Sequence, residues 1–239
     1  MASTSEVGHN KNAANFNALA QILQEMGSLY NPSNTNIQLP ILDGIKTNLL
    51  ASIANLNEKK PLYSNAVANR EVAAEPLGKT ATKVLNAFKS LRLSEVDKEN
   101  ATSLVKKIRG DRKAKKVNPD TSDAETISTA QLSYDSRIAN LDVLIGFIQS
   151  HPEYSPNEAS ITVPSLTTYN QELKNLTQIV NAAGNTLITA RKNRNAVLYK
   201  DANNVIILAR EIKSYLKPIG EPGLPYYKAA VRLRFTEVA

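Results

Sequence analysis

Cysteine is absent from the 239 residues, so neither a disulfide framework nor a thiolate ligand or nucleophile is available. Tryptophan is absent as well. With four Phe and aromatics at only 5%, the interior has to be built from Leu, Ile, Val and Ala, a composition that favours a helical core. Long apolar runs are missing too: the clusters at 143–148 and 205–209 fall far short of the roughly 20 residues that cross a bilayer. Residues 1–9 carry neither the basic segment nor the apolar stretch of a secretory signal, which points to a cytoplasmic protein without a transmembrane segment. The chain has no Gly-rich phosphate loop, no Gly-x-Ser-x-Gly elbow and no His-Glu-x-x-His. Its two histidines, His9 and His151, fall at a loose N-terminal stretch and a His-Pro turn, without a metal-ligating partner at helical spacing. No catalytic residue, cofactor or metal is therefore expected.

What is present is a pattern that recurs about half a chain length later. Tyr30, Pro32, Ile37, Pro40, Leu42 and Leu49 return 124 positions on as Tyr154, Pro156, Ile161, Pro164, Leu166 and Leu173. The register continues through Asn57, Ala66, Asn69, Arg70, Lys89 and Ser90, which match Asn181, Ala190, Asn193, Arg194, Lys213 and Ser214. The spacing predicts two pseudo-equivalent helical repeats, 1–93 and 122–217. A basic connecting segment lies between them at 94–121, and a Pro/Gly-rich tail follows at 218–239.

Each copy opens with an amphipathic helix. In the first, Phe16, Leu19, Ile22, Leu23 and Met26 predict a helix over 13–28. In the second, Ile138, Leu141, Leu144, Ile145 and Ile148 form the same stripe at a displacement of 122, and Ile127 and Tyr134 extend it back to an N-cap at Ser122 or Asp123. Connectors rich in Pro and Asn follow, and Pro40 and Pro164 suit the first turn of the next helix.

The next seam runs through Leu42, Ile45, Leu49, Leu56, Tyr63, Ala66 and Leu77, and again through Leu166, Tyr169, Leu173, Val180, Leu187 and Ala190 to Val205, Leu208, Ile212 and Tyr215. Steps of three and four residues mark helices packed at shallow angles. Pro61, Pro76 and Gly184 interrupt this seam, yet its phase is unbroken, which favours long kinked helices, one of them over 41–91. A further helix is expected over 94–107. Residues 217–225 are too rich in Pro and Gly for regular structure, and 231–235 alternate as a strand would. The fold expected is all-α: an elongated bundle of two repeats with long kinked antiparallel helices and a short extended C-terminal tail.

The paired connectors, the Asn69-Arg70 and Asn193-Arg194 pairs, the Lys-Ile-Arg-Gly ending at Gly110 and the closing Leu-Arg-Phe-Thr resemble a family of uncharacterised bacterial all-helical proteins. The resemblance covers nearly the whole chain. It implies the two-copy helical fold and no known activity, cofactor or partner.

Three features are candidate sites. Each connector could be a ligand loop, although buried tyrosines and path-setting prolines account for it more simply. Arg70 and Arg194 fall on or beside the seam, where a cation needs a partner. They could serve an anionic ligand as a pair, but pairing with Glu71, Glu75 or another carboxylate is preferred. The +7 net charge is concentrated in Lys106, Lys107, Arg109, Arg112, Lys113, Lys115 and Lys116, opposed only by Asp111. Such a run suits a polyanion, yet it has no interleaved aromatic for base stacking and equally suits a solvated linker. The tail at 231–235 could add to another molecule's sheet edge or fold back along the bundle.

The expected role is non-catalytic: a structural or protein-interaction module, whose partner is another protein or a second copy. The alternative is a nucleic-acid-binding accessory protein using 106–116. A third class, an amphipathic protein that inserts into membranes after rearrangement, is separable by liposome leakage.

Overall fold

The computed structural model describes residues 4–110 and 133–237, and every regular element among them is helical. The elements are α1 (Thr4–Glu25), α2 (Leu39–Ala74), α3 (Leu77–Lys89), α4 (Glu95–Arg109), α5 (Tyr134–Gln149), α6 (Val163–Asn195), α7 (Val205–Leu216) and α8 (Leu224–Arg232). The chain divides into two compact units, one of residues 1–62 with 184–239 and the other of 63–183.

In the first unit, Phe16, Leu19 and Leu23 of α1 and Met26 just beyond it are buried against Leu42 and Leu49 of α2, Leu198, and Val205, Leu208, Ile212 and Leu216 of α7. Each fully buried Leu, Ile or Phe stabilises the fold by about 1.5–3 kcal/mol. In the second unit, Ala81, Val84 and Phe88 of α3 and Ala101, Val105 and Ile108 of α4 meet Leu141, Leu144 and Ile148 of α5 and Leu166 and Leu173 of α6.

Several positions 124 apart have similar environments. Short 3-10 turns recur at Thr35–Ile37 and Ala159–Ile161, and long helices begin at Leu39 and Val163. Ala81, Val84, Leu85 and Phe88 are buried, and so are Val205, Leu208, Ala209 and Ile212. The compact units nevertheless do not coincide with the repeats that the spacing predicts. Both boundaries fall inside long helices, at 62/63 in α2 and at 183/184 in α6. The first unit therefore combines the opening of one predicted repeat with the close of the other, and the second unit has the reciprocal composition.

Several expectations are corrected. The expected 41–91 helix is two helices: α2 continues through Pro61 but ends at Ala74, and Pro76 stands as N-cap of α3. Proline at 76 cannot donate to a preceding carbonyl, and it disfavours helix at Glu75. Its counterpart α6 passes Gly184 unbroken and ends in a π-helical turn, Ala196–Lys200, before Asn204 caps α7 by accepting from the Ile207 amide at 3.0 Å. Tyr63, placed on the seam by spacing, is 36% exposed, whereas Leu187 at the corresponding position is buried.

At the start of α5, Ser133 is the N-cap and accepts from the Ser136 amide at 3.1 Å; Ser122, Asp123 and Ile127 lie outside the described residues. Residues 217–225 form two 3-10 turns and the start of α8. The predicted strand is not one: Val231 and Arg232 close α8, and 234–237 continue without regular structure.

Candidate functional site

The connectors are built around their tyrosines. Tyr30 Oη donates to the Ile37 carbonyl, and Tyr154 Oη donates to the Ile161 carbonyl at 2.8 Å. Each hydroxyl closes a loop onto an isoleucine seven positions on, which is buried. Burial pushes both phenols up, that of Tyr154 to about 12. Tyr30 also meets Tyr215 of α7 edge-on at 5.4 Å between centroids, and Phe88 of α3 lies 6.1 Å from Tyr154. The two tyrosines and the isoleucines they cover are thus occupied with packing.

Arg70 belongs to the second unit and Arg194 to the first. Arg70 stacks on the Tyr134 ring, with its guanidinium carbon 4.1 Å from the centroid, in place of the expected pairing with Glu71 or Glu75. Its Nε finds no acceptor among the described residues. Stacking suits a planar, weakly hydrated cation at a half-buried position. Arg194, only 2% exposed, donates through Nε and an Nη to Asn195 Oδ1 at 3.1 and 2.9 Å.

Around Arg194 the first unit holds a polar cluster that the sequence pattern does not announce. His9 is not in a loose stretch: it lies on α1, buried, with Nδ1 2.8 Å from Tyr199 Oη. Asn12, one helical turn on and 1% exposed, donates to Tyr199 Oη at 3.0 Å and to the Thr236 carbonyl at 2.7 Å. Its Oδ1 accepts from the Thr236 amide at 3.1 Å, so one side-chain amide pairs with a backbone residue as a neighbouring strand would. Asn15 donates to the Arg234 carbonyl at 2.6 Å, and Lys213 Nζ donates to the Leu233 carbonyl at 2.6 Å. Burial raises the Tyr199 phenol, with Asn12 and the Arg194 charge acting against it, and burial lowers the Lys213 ammonium. The polar atoms of this cluster point at one another and at the main chain of 233–236.

The basic run is only partly described. Lys106, Lys107 and Arg109 form the last turn of α4, exposed, where cations complement the helix's negative end. Gly110 ends the helix at φ 76°, a left-handed conformation that suits glycine. Arg112, Lys113, Lys115 and Lys116 lie outside the described residues.

Two further cations join this end, and spacing gave no hint of either. Lys79 of α3 and Arg137 of α5 line an open recess of about 530 Å³ with Arg109, Gly78, Thr82 and Glu75. Arg137 is oriented by donating its Nε to the Ile108 carbonyl at 2.9 Å. Among the described residues, no three His, Asp or Glu side chains are placed to hold a metal, and no helix is long and apolar enough to cross a membrane. No protein-family model, curated protein or solved structure matches the chain.

Proposed function

We propose that this chain is a non-catalytic structural or protein-interaction module of the cytoplasm, capable of self-association. One observation carries the proposal: several buried or partly buried polar side chains are committed to the chain's own backbone. Tyr30 and Tyr154 hold connector carbonyls, and Asn12 with Lys213 holds residues 233–236. Groups so engaged build a scaffold, whereas catalysis needs polar groups directed at a reacting atom in a cavity. Sedimentation velocity across a concentration series, with affinity capture from lysate, tests this reading. Concentration-dependent mass or a stoichiometric partner is expected; a strict monomer that recovers no partner would contradict it.

A second reading, a nucleic-acid-binding accessory protein, draws support from the convergence of Lys79, Arg109 and Arg137 beside the exposed Lys106 and Lys107. Phosphates bound there would displace counterions, so affinity would fall steeply with salt. Fluorescence anisotropy with generic DNA and RNA, titrated with salt, is the test. No binding at low ionic strength removes this reading.

A further inference from the structure

Residues 224–237 form an arm, α8 followed by the extended 233–237, whose contacts in the first unit have an unusual character. The arm places Ala230, fully buried, and the partly buried Tyr226, Tyr227, Leu233 and Phe235 on the core formed by α1 and α7. Its outer part is held by side chains that address main-chain atoms: Lys213 to the Leu233 carbonyl, Asn15 to the Arg234 carbonyl, and Asn12 to both the carbonyl and the amide of Thr236. One side chain is read as well, since the Lys213 ammonium stands 5.0 Å from the centre of the Phe235 ring. The receiving face therefore recognises an extended backbone with an aromatic anchor, and an identical arm from another molecule would meet every one of these contacts.

The connection to the arm is short and built from breakers. Residues 217–223 are two three-residue 3-10 turns joined at Gly220, whose φ of 85° and ψ of −159° belong to a region open essentially to glycine. Pro218, Pro222 and Pro225 each lack an amide donor. The turn is also tight: a Cβ on Gly223 would lie 2.7 Å from the Ile219 side chain. A short hinge of this kind favours exchange of the element beyond it, because the turn can open while the same interface re-forms between two molecules.

We propose that the α1/α7 face of the first unit is a receptor for the 224–237 arm of a second copy, and that the chain self-associates by reciprocal exchange of this arm about Gly220. The proposal deepens the self-association reading above and rests on it.

Complementation between full-length chains tests it. One chain carries the face substitutions Asn12→Ala and Asn15→Ala, and the other carries the arm substitutions Phe235→Ala and Thr236→Pro. Only a mixed dimer restores one intact face to one intact arm. After partial unfolding and joint refolding, native mass spectrometry is expected to show the mixed dimer at least about tenfold above either variant's own dimer, a gap of roughly 1.4 kcal/mol in pairing. A mixture that dimerises no more than its components, or stays monomeric, overturns the exchange. If either double variant loses its helical circular dichroism, Asn15→Ala paired with Phe235→Ala decides by the same criterion. A wild-type chain that captures another protein while this mixture stays monomeric would leave the interaction reading standing and the exchange refuted.

Discussion

The hydroxyl of Tyr154 does one task, donating to the Ile161 carbonyl, and its removal measures that task alone. Tyr154→Phe keeps the ring beside Phe88 but leaves a buried acceptor without its donor. A loss of about 1–2 kcal/mol is expected in urea unfolding, since an orphaned buried group forfeits its desolvation as well as its bond. The phenols also set an alkaline limit. Burial holds Tyr154 and Tyr169 near 12 against 10.0 in the unfolded chain. A raised pKa favours the folded state fully below pH 10, and that advantage is lost as pH rises through 12. Melting temperature should therefore fall between pH 10 and 12, less steeply in Tyr154→Phe; a flat profile contradicts this.

Asn12→Ala removes three bonds at a buried site and should destabilise by about 2–3 kcal/mol in the same unfolding assay. The tyrosine loops were legible because their spacing of seven is local and occurs twice. The His9, Asn12 and Tyr199 cluster was not, because its members are nearly 190 residues apart and only the fold brings them together.

At the scale of elements, helical register was easier to read than helical ends. Leu42, Leu49 and Leu56, like Leu166, Leu173, Val180 and Leu187, are buried at intervals of seven, as the seam required. Pro61 shows why its phase survived: it sits inside α2 with an exposed ring, lacking the bond to the carbonyl four residues back while the flanking turns continue. Pro61→Ala restores that bond and should raise stability by about 1–3 kcal/mol, read as a higher urea midpoint. A lower midpoint would show that the break itself is needed.

The alternation at 231–235 suggested a strand, but a strand needs a neighbour to pair with. Pro225 in the first turn of α8 and the buried Ala230 favour helix through Arg232, and side-chain amides then take the place of a partner strand. Of the basic run, its exposure along the last turn of α4 was legible, whereas the company of Lys79 and Arg137 was not, because three separate helices supply that recess.

At the scale of the molecule, a displacement of 124 predicts that two residues play the same part, but not which neighbours they have. Each repeat could have closed on itself, and the amphipathic pattern would look the same. In the structure Tyr30 packs on Tyr215 within the first unit and Tyr154 on Phe88 within the second, so that the opening of each predicted repeat meets the close of the other. Long helices that continue across both unit boundaries make this possible, and nothing in local spacing reports it.

Double-mutant cycles on these aromatics test the arrangement most directly. Tyr30/Tyr215 and Tyr154/Phe88 should each show a coupling of about 0.5–1.5 kcal/mol in urea unfolding. Tyr30/Phe88, which share a repeat but belong to different units, should add to within about 0.5 kcal/mol. Coupling between Tyr30 and Phe88, with additivity in the other two pairs, would mean that each repeat folds on itself and would contradict the account.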